Sequence, residues 1–359
     1  MATAWTEAER ARLRSLVREL ALGVRAAVLP RLGAHSGRAH GDEQAAGGDV
    51  TFDIDATAEV ALAELMARAG RGVAFFSEHR GLVLPDAVGG AGAVPVAASR
   101  ETASPGVARP DAPAVPRDPP PVLVVDPIDG TRPALAGLES CCVSVAAAPL
   151  REGVTMGEVE LGCVVEIPAG TVFLAERGRG LVEGPRAAGP ATDRIERMLW
   201  TYGFRGRPAR ATTEVLAELI DRSSVGGGTF ELGSAAYDMT RVLTGQLDAY
   251  VEPGPRLVEE VPGVRREFER VGGGAVLNNS PYDLAGAWLC LMEAGATVTD
   301  ATGRPLDDRP LLGSGADFQM SVVASASPEL HARILAALDR GTERVRALEP
   351  EGRLRAAVD

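Results

Sequence analysis

Lysine is absent from this sequence of 359 residues, in which all 37 basic residues are arginine. Mechanisms that need a lysine Schiff base or a Walker-type lysine on a phosphate are therefore excluded. Aromatic residues make up only 4% of the chain, so its core must consist mainly of Val, Leu and Ala. The net charge is −12, and such an acidic protein is a poor candidate for binding nucleic acids or anionic membranes, which would repel it.

Cysteines and long apolar segments are also scarce. The four cysteines, Cys141, Cys142, Cys163 and Cys290, include no C-x-x-C pair. We interpret them as buried free thiols of a protein in a reducing cytosol. No run approaches the roughly 20 apolar residues of a membrane span, and the charged N-terminus lacks the apolar core of a signal peptide. The sequence therefore predicts a cytoplasmic protein.

Hydrophobic periodicity predicts a layered α/β (α+β) protein. The expected helices are Thr6–Leu29, Ala56–Ala69, Ala211–Arg222, Ser234–Thr244, Asp283–Ala294 and Pro328–Arg344. The expected strands are Val73–Phe76, Val122–Val125, Val143–Ala147, Glu158–Glu166, Thr171–Ala175, Leu247–Glu252, Thr297–Asp300 and Met320–Ala324. Gly33–Gly48 is predicted to be a loop, and residues 81–121, rich in Pro, Ala and Gly, a mobile insertion. We expect an N-terminal half (1–180) that carries the metal-binding motifs and a C-terminal half (181–359) that completes the site.

One run of residues indicates chemistry. Asp126-Pro127-Ile128-Asp129-Gly130-Thr131 directly follows an apolar strand. Pro127 stiffens the turn, and Gly130 lets the backbone bend or approach a ligand. Two carboxylates, the Ile128 carbonyl and the Thr131 hydroxyl can then be directed at one point, and these hard oxygen ligands suit Mg²⁺. Taken alone, the hexapeptide is also compatible with an Asp-Pro turn whose second Asp caps a helix.

Several motifs together make the chain similar to the inositol monophosphatase family. This family belongs to the lithium-sensitive, magnesium-dependent phosphatases, which include fructose-1,6-bisphosphatases and bisphosphate nucleotidases. Its D-P-[IL]-D-G-T motif is matched in full at Asp126–Thr131. Other matches occur in family order: the D-x-T-x-x-x-D-x-x-A-E pattern at Asp49–Glu59, Glu78 after a strand, G-S-A-A at Gly233–Ala236, and Asp283 in the second signature.

The resemblance implies a layered αβαβα sandwich of the sugar-phosphatase type, a homodimer, two or three Mg²⁺ ions and a small phosphate monoester as substrate. It implies metal binding by Glu78, Asp126, Ile128 (through its carbonyl), Asp129 and Asp283. It implies catalytic roles for Asp55, Thr131 and Glu78, with Asp55 close to Thr131, where it would help to place or deprotonate the attacking water. It implies substrate contacts by Gly130, Thr131, Arg132, Ser234, Ala235, Glu252 and Asp283, with Glu252 on the alcohol side. Water would attack in line, without a phosphoenzyme.

Alternatives remain open at this point. Asp55 and Asp283 stand where each could simply cap a helix. An inositol, sugar or polyol monophosphate is the favoured substrate, but a fructose bisphosphate, a nucleotide, histidinol phosphate or a specialised metabolite is also compatible with the motifs. A function of another class is a catalytically silent regulator that keeps the fold and binds metal or ligand.

Four departures from the family pattern bear on substrate choice. His79 replaces a common second Glu, Arg132-Pro133 follows the central motif, and Tyr282 replaces Trp before Asp283. The fourth departure is a long insertion at 253–281. We interpret it as a lid or specificity loop whose arginines reach a second anionic group, with a solvated surface loop as the alternative.

Overall fold

The computed structural model describes residues 5–34, 40–44, 50–85, 119–187 and 192–349. Within these ranges the helices are α1 Glu7–Val28, α2 Asp53–Ala69, α3 Thr131–Ala136, α4 Ala209–Ser223, α5 Ala235–Thr244, α6 Gly254–Glu260, α7 Arg265–Val271, α8 Pro281–Glu293 and α9 Pro328–Leu348. The strands are β1 His40–Gln44, β2 Val50–Phe52, β3 Ala74–Ser77, β4 Gly81–Val83, β5 Pro121–Asp129, β6 Cys142–Pro149, β7 Leu161–Glu166, β8 Val172–Glu176, β9 Gly180–Glu183, β10 Leu199–Tyr202, β11 Gly228–Phe230, β12 Ala249–Glu252, β13 Thr297–Thr299 and β14 Val322–Ser325.

The first large sheet has seven strands in the order β4-β3-β5-β6-β7-β8-β9. Strands β3 and β5 are parallel, and the other neighbouring strands are antiparallel. Helices α1 and α2 cover one face, where Leu13 and Leu20 of α1 are buried. Helix α1 begins with a capping box, in which Thr6 Oγ1 accepts from the Glu9 N–H and the Glu9 carboxylate accepts from the Thr6 N–H.

The second large sheet has five strands in the order β11-β10-β12-β14-β13. Helices α5 and α8 lie between the two sheets, so that Trp288 of α8 belongs to one core cluster with Phe173 of the first sheet and Tyr250 of the second. Helices α4, α6, α7 and α9 cover the outer face of the second sheet. The layers are therefore αβαβα, which confirms the expected fold class.

All predicted helices and strands are present, with shifted ends. Several short elements were not predicted, because they have no clear sequence pattern. Residues 40–44 form β1, which pairs with β2, so the prediction of a loop is wrong there. Residues 81–83 form β4 on the edge of the first sheet and 121 begins β5, so those ends of the predicted insertion are wrong as well. Residues 86–118, which make up the rest of it, lie outside the described residues, as does Asp49.

The role of a lid or specificity loop stays a prediction for the insertion at 253–281, but the insertion is not a solvated surface loop. It forms α6 and α7, and Leu257, Val264 and Phe268 are buried in the core cluster on the outer face of the second sheet. Arg256, which is 8% exposed, is held by Glu260, Asp339 and the carbonyl of Ala301. Apolar anchors spaced along two short helices explain the difference, because their burial fixes the segment to the body of the protein.

Truncation of the central anchor of this insertion tests its structural role. Phe268→Ala should lower the free energy of unfolding by about 3 kcal/mol, because it leaves a cavity in a packed core. Val271→Ala is the matched control on the same helix, since the Val271 side chain is 39% exposed and should cost little. Denaturant unfolding of both variants measures the difference. Equal, small losses would contradict the packing described above.

The division into two halves at residue 180 stays a prediction. Gly180 begins β9, which completes the first sheet, and α5 and α8 of the second half pack against that sheet. All four cysteines are buried and free, as predicted. Among the described residues, no helix is long and apolar enough to cross a membrane.

Candidate active site

Element ends from both halves of the chain meet in one cleft. The C-terminal ends of β3 and β5 bring Glu78, Asp126 and Asp129, and the first turns of α2 and α8 bring Asp55 and Asp283. All five side chains line a cavity of about 330 Å³, which we call the outer cavity. The five acids that the sequence predicted for the site therefore surround one space.

The turn from β5 into α3 has its shape because of two local features. The Ile128 N–H donates to Asp126 Oδ1 at 3.0 Å, which folds the backbone back toward the first carboxylate. Gly130 has φ +90°, and a Cβ there would lie 2.5 Å from the Ser140 carbonyl oxygen and 2.9 Å from Ser234 Cβ. Only glycine fits this position, because both the backbone angle and the space exclude a side chain. The strand therefore runs into α3 with Asp126 and Asp129 on the same side.

Three carboxylates form a cluster in the cleft. One oxygen from each of Asp126, Asp129 and Asp283 lies within 4.8 Å of the others. Burial, followed by the charges of Asp129 and Asp283, raises the pKa of Asp126 well above its usual range. Burial and the Asp129 charge likewise raise the pKa of Asp283. Burial raises the pKa of Asp129 to about 6, although hydrogen bonds from Ala236 and Ser234 act in the opposite direction.

This cluster fits a divalent metal ion. A bound cation removes the repulsion that raises the three pKa values, and carboxylate oxygens are the ligands that Mg²⁺ prefers. Glu78 lies outside the cluster of three but lines the same cavity, and its charge also raises the pKa of Asp126 and Asp283. The donor set therefore supports the expected metal site.

Asp55 and Thr131 are joined across the cleft. Thr131 Oγ1 donates to Asp55 Oδ1 at 2.9 Å, and Asp55 Oδ2 accepts from the Phe52 N–H at 2.9 Å. Asp55 is the third residue of α2, which begins at Asp53, so it is not the N-cap of a helix that starts at Ala56. The pair has the geometry to hold a proton or a water beside Asp126, since all three residues line the outer cavity.

Asp283 is also not an N-cap. Helix α8 begins at Pro281 with Ser280 as its cap, and the carboxylate of Asp283 accepts from the Ser280 N–H at 2.6 Å. One oxygen is thus fixed by the helix start, and the group remains within the carboxylate cluster. Asp283 is therefore the third residue of the α8 capping box, and it keeps its place in the cluster that could hold a metal.

Ser234 and Ala235 stand beside Asp129. Ser234 Oγ donates to Asp129 Oδ2 at 2.8 Å, and the Ala236 N–H donates to the same oxygen at 2.5 Å. Ser234 also caps α5, because its hydroxyl accepts from the Tyr237 N–H. The start of α5 therefore orients Asp129 in addition to facing the cleft, and this positive helix end stabilises the carboxylate.

A second, smaller space opens from the outer cavity. This inner chamber, of about 80 Å³, shares Glu78, Asp129, Arg205, Glu231, Gly233 and Asp283 with the outer cavity. Its own lining includes Arg207, Asp238, Tyr250, Asn278 and Asn279. Arg205 and Arg207 were not predicted from the sequence, where their only signal is the Tyr202–Arg207 segment, with two glycines and two arginines directly after an apolar strand.

Glu252 is expected to face the alcohol part of the substrate, but it does not line this chamber. Its side chain is fully buried and forms an ion pair with Arg207, and it accepts from the Gly254 N–H at 2.8 Å. Arg207 stands between Glu252 and the chamber, since it lines the chamber and Glu252 does not. Arg207 therefore lines the chamber in front of Glu252, and the contact of Glu252 with the substrate stays a prediction.

Two departures from the family motifs lie at the rim of the outer cavity. The Arg132 guanidinium lies 5.6 Å from the centre of the Phe52 ring, which holds this cation beside the cleft. His79 Nε2 is 2.9 Å from Thr51 Oγ1, and its Nδ1 is 3.6 Å from a Glu59 oxygen. His79 is thus bound to the end of β2 and to α2, and it supports the wall of the cavity.

The match with known proteins agrees with this geometry. A 28% identical relative, "Fructose-1,6-bisphosphatase/inositol-1-monophosphatase" of Methanothermobacter thermautotrophicus, aligns over 61% of this chain and 68% of its own length. "Inositol-1-monophosphatase" of Mycobacterium leprae is 30% identical over 60% of this chain and 62% of that protein. The solved structure of the extragenic suppressor protein suhB from Bartonella henselae has a TM-score of 0.63 at 18% identity, over 92% of this chain and 99% of that one.

The first two alignments span about two thirds of each relative, whereas the structural likeness spans nearly the whole fold. The sequence also matches the pattern of one family over residues 10–343, a range that holds every carboxylate of the cleft. The chain therefore belongs to the inositol monophosphatase family, whose members are phosphoric monoester hydrolases.

Proposed function

We propose that the protein hydrolyses a small phosphate monoester, with Mg²⁺ held by the carboxylate cluster, and releases inorganic phosphate. The observation that carries the proposal is the cluster of Asp126, Asp129 and Asp283 within 4.8 Å, at the base of an open cavity. Two relatives that bear phosphatase names support the same reaction class. An inositol, sugar or polyol phosphate is the favoured substrate class.

The proposed ligands of two or three Mg²⁺ ions are the carboxylates of Glu78, Asp126, Asp129 and Asp283 and the carbonyl of Ile128. Bound there, the metal would neutralise the phosphate charge and make water a better nucleophile. The cleft supports this assignment, because a dianionic phosphate would otherwise be repelled by four carboxylates.

The chain's own groups then orient the reactants. The Asp55–Thr131 pair is the proposed acceptor for the proton of the attacking water, since the two groups are already 2.9 Å apart at the edge of the cluster. The backbone amides of Gly130 and Thr131 are the proposed donors to the phosphate, and Arg132 adds positive charge at the rim. In-line attack on phosphorus then needs no covalent intermediate on the protein.

Asp55→Asn tests the role of this pair. We expect kcat to fall about a hundredfold, because the amide cannot accept the proton of water while the fold and metal cluster persist. The Mg²⁺-induced rise in melting temperature should remain, because Asp55 is not among the clustered carboxylates. Phosphate release and thermal unfolding measure the two effects.

Asp53→Asn is the matched control for this variant. Asp53 stands in the same first turn of α2, but it is exposed and does not line the outer cavity. Its kcat should match that of the unchanged protein. A similar loss in both variants would assign the effect to the helix start, and full activity of Asp55→Asn would refute the proton-acceptor role.

One experiment tests the whole proposal: phosphate release from a panel of esters, with and without Mg²⁺. Inositol, hexose and glycerol phosphates, a hexose bisphosphate and a nucleotide represent the substrate classes compatible with the motifs. Turnover that depends on Mg²⁺ supports the proposal. Metal binding without turnover of any ester would favour the silent regulator instead. The homodimer and the cytoplasmic location stay predictions, which light scattering and cell fractionation check.

A further inference from the structure

We propose that Glu59 and Arg80 are positioning residues of the metal site, which fix the chain on both sides of Glu78. This inference rests on the proposed function, because it concerns a carboxylate that is proposed to bind the metal. Glu78 directly follows β3 and lines both the outer cavity and the inner chamber. Arg80 lines neither of them, so it acts on the site only through its neighbours.

The carboxylate of Glu59 binds the residues before and after Glu78. Glu59 belongs to α2 and is buried. Its Oε2 accepts from Ser77 Oγ at 3.1 Å and from Arg80 Nε at 3.1 Å. Ser77 is the last residue of β3 and is fully buried. One carboxylate oxygen therefore joins the end of the strand to the turn that follows Glu78.

Arg80 closes these contacts into a ring. Its Nη2 donates to the backbone carbonyl of Glu59 at 3.3 Å, and its N–H donates to Ser77 Oγ at 3.4 Å. A guanidinium that binds both the side chain and the backbone of one residue has little freedom to rotate, because its donors lie in a fixed plane. We call Glu59, Ser77 and Arg80 the Glu78 clamp. The clamp limits the directions in which the chain can present the Glu78 carboxylate.

His79 attaches the same turn to β2. Its Nε2 is 2.9 Å from Thr51 Oγ1, and its Nδ1 is 3.6 Å from Glu59 Oε1. Three of the four residues 77–80 therefore contact α2 or β2, and Glu78 is the one of the four that lines both cavities. The contacts of its neighbours thus keep Glu78 at the space beside the carboxylate cluster.

Such a restraint matters because Glu78 is repelled by the other acids of the site. Its charge helps to raise the pKa of Asp126 and that of Asp283, so the three carboxylates oppose one another in the metal-free protein. An unrestrained Glu78 would turn toward solvent, and metal binding would then include the cost of bringing it back. Fixing the turn beforehand lowers that cost, and loss of such a partner of a metal ligand typically weakens metal binding about tenfold to a hundredfold.

Helix α2 also carries Asp55, one turn before Glu59. Asp55 Oδ1 accepts from Thr131 Oγ1 at 2.9 Å. The proposed proton acceptor and the proposed metal ligand Glu78 are therefore both held by one helix, which fixes their relative positions. Loss of the clamp should affect metal binding first, because Asp55 keeps its own contacts.

Three variants of the clamp differ in the charge that they remove. Glu59→Gln removes a negative charge, Arg80→Gln a positive charge, and Ser77→Ala none. We expect all three to weaken Mg²⁺ binding, measured as the concentration that gives half of the Mg²⁺-induced rise in melting temperature. This midpoint should increase about tenfold in Glu59→Gln and Arg80→Gln, and less in Ser77→Ala.

Arg80→Gln is the decisive variant, because an effect of charge alone has the opposite sign. Loss of a cation beside an acidic site strengthens the attraction of Mg²⁺, so charge alone would lower the midpoint. Positioning predicts that the midpoint rises in spite of this. Phosphate release should show the same need for more Mg²⁺, and saturating Mg²⁺ should restore most of kcat.

Glu64→Gln and Arg68→Gln are the matched controls. Both residues are exposed on α2, they lie 3.9 Å apart, and they line neither cavity. These variants remove the same two charges from the same region of the fold but leave the clamp intact. Their Mg²⁺ midpoints should equal that of the unchanged protein.

Failure of this inference and failure of the proposed function give different results. Unchanged midpoints in the clamp variants, or a lower midpoint in Arg80→Gln, would overturn the positioning role while phosphatase activity stands. A lower melting temperature of the metal-free variants with unchanged midpoints would assign the clamp to fold stability alone. No turnover of any ester by the unchanged protein would overturn the proposed function itself.

Discussion

Asp126→Asn should lower kcat/KM at least about a thousandfold and yet raise the melting temperature of the metal-free protein. Asp126 is 9% exposed, and burial together with the charges of Asp129 and Asp283 opposes its ionisation. An amide of the same shape removes this repulsion and keeps an oxygen for the Ile128 N–H, which now donates at 3.0 Å. The metal loses a charged ligand, however, so binding and turnover should collapse.

A loss of turnover together with a higher melting temperature distinguishes a carboxylate that binds metal from one that only stabilises the fold. Asp238→Asn is the comparison, because Asp238 is also buried and burial also raises its pKa. Unlike Asp126, it accepts from Thr201 Oγ1 at 3.0 Å and lies outside the cluster. The Mg²⁺-induced rise in melting temperature should disappear in Asp126→Asn and persist in Asp238→Asn. Turnover close to that of the unchanged protein in Asp126→Asn would refute the metal assignment.

The sequence predicted those parts of the site that are local or that belong to a family motif. Asp126 and Asp129 lie at the end of a buried strand, and their convergence depends on a turn of six residues whose Pro and Gly indicate its shape. The contact between Asp55 and Thr131 joins residues 76 positions apart, and the family resemblance, not any periodicity, predicted it. The comparison shows that motif order can supply long-range contacts that local chemistry cannot.

Contacts that are specific to this chain could not be predicted from its sequence. The ion pair of Arg207 with Glu252 joins residues 45 positions apart, and no sequence motif links them. The position of Arg207 at the chamber, paired with a buried Glu252, therefore follows only from the packed structure. The helices α6 and α7 were missed for a similar reason, because each has seven residues and their apolar positions make sense only against the second sheet.

Removal of divalent metal should abolish turnover and make the protein less stable as the pH rises. In the metal-free protein the pKa of Asp129 is raised from 3.8 to about 6, and those of Asp126 and Asp283 are raised as well. Above about pH 4 the unfolded chain releases these protons while the folded chain retains them. Folding then takes up protons, so stability falls as the pH rises through the folded pKa values.

Saturating Mg²⁺ should oppose this loss of stability at higher pH. The ion binds the deprotonated carboxylates and not the protonated ones, so the stabilisation that it provides grows with pH over the same window. Melting temperatures measured from about pH 5 to about pH 8, in EDTA and in Mg²⁺, should therefore diverge as the pH increases. Other groups titrate in this range, and Asp126→Asn isolates the cluster because its metal-free curve should decline less steeply than that of the unchanged protein. Parallel curves with and without Mg²⁺, or turnover that survives EDTA, would mean that these carboxylates do not hold the metal on which the proposed reaction depends.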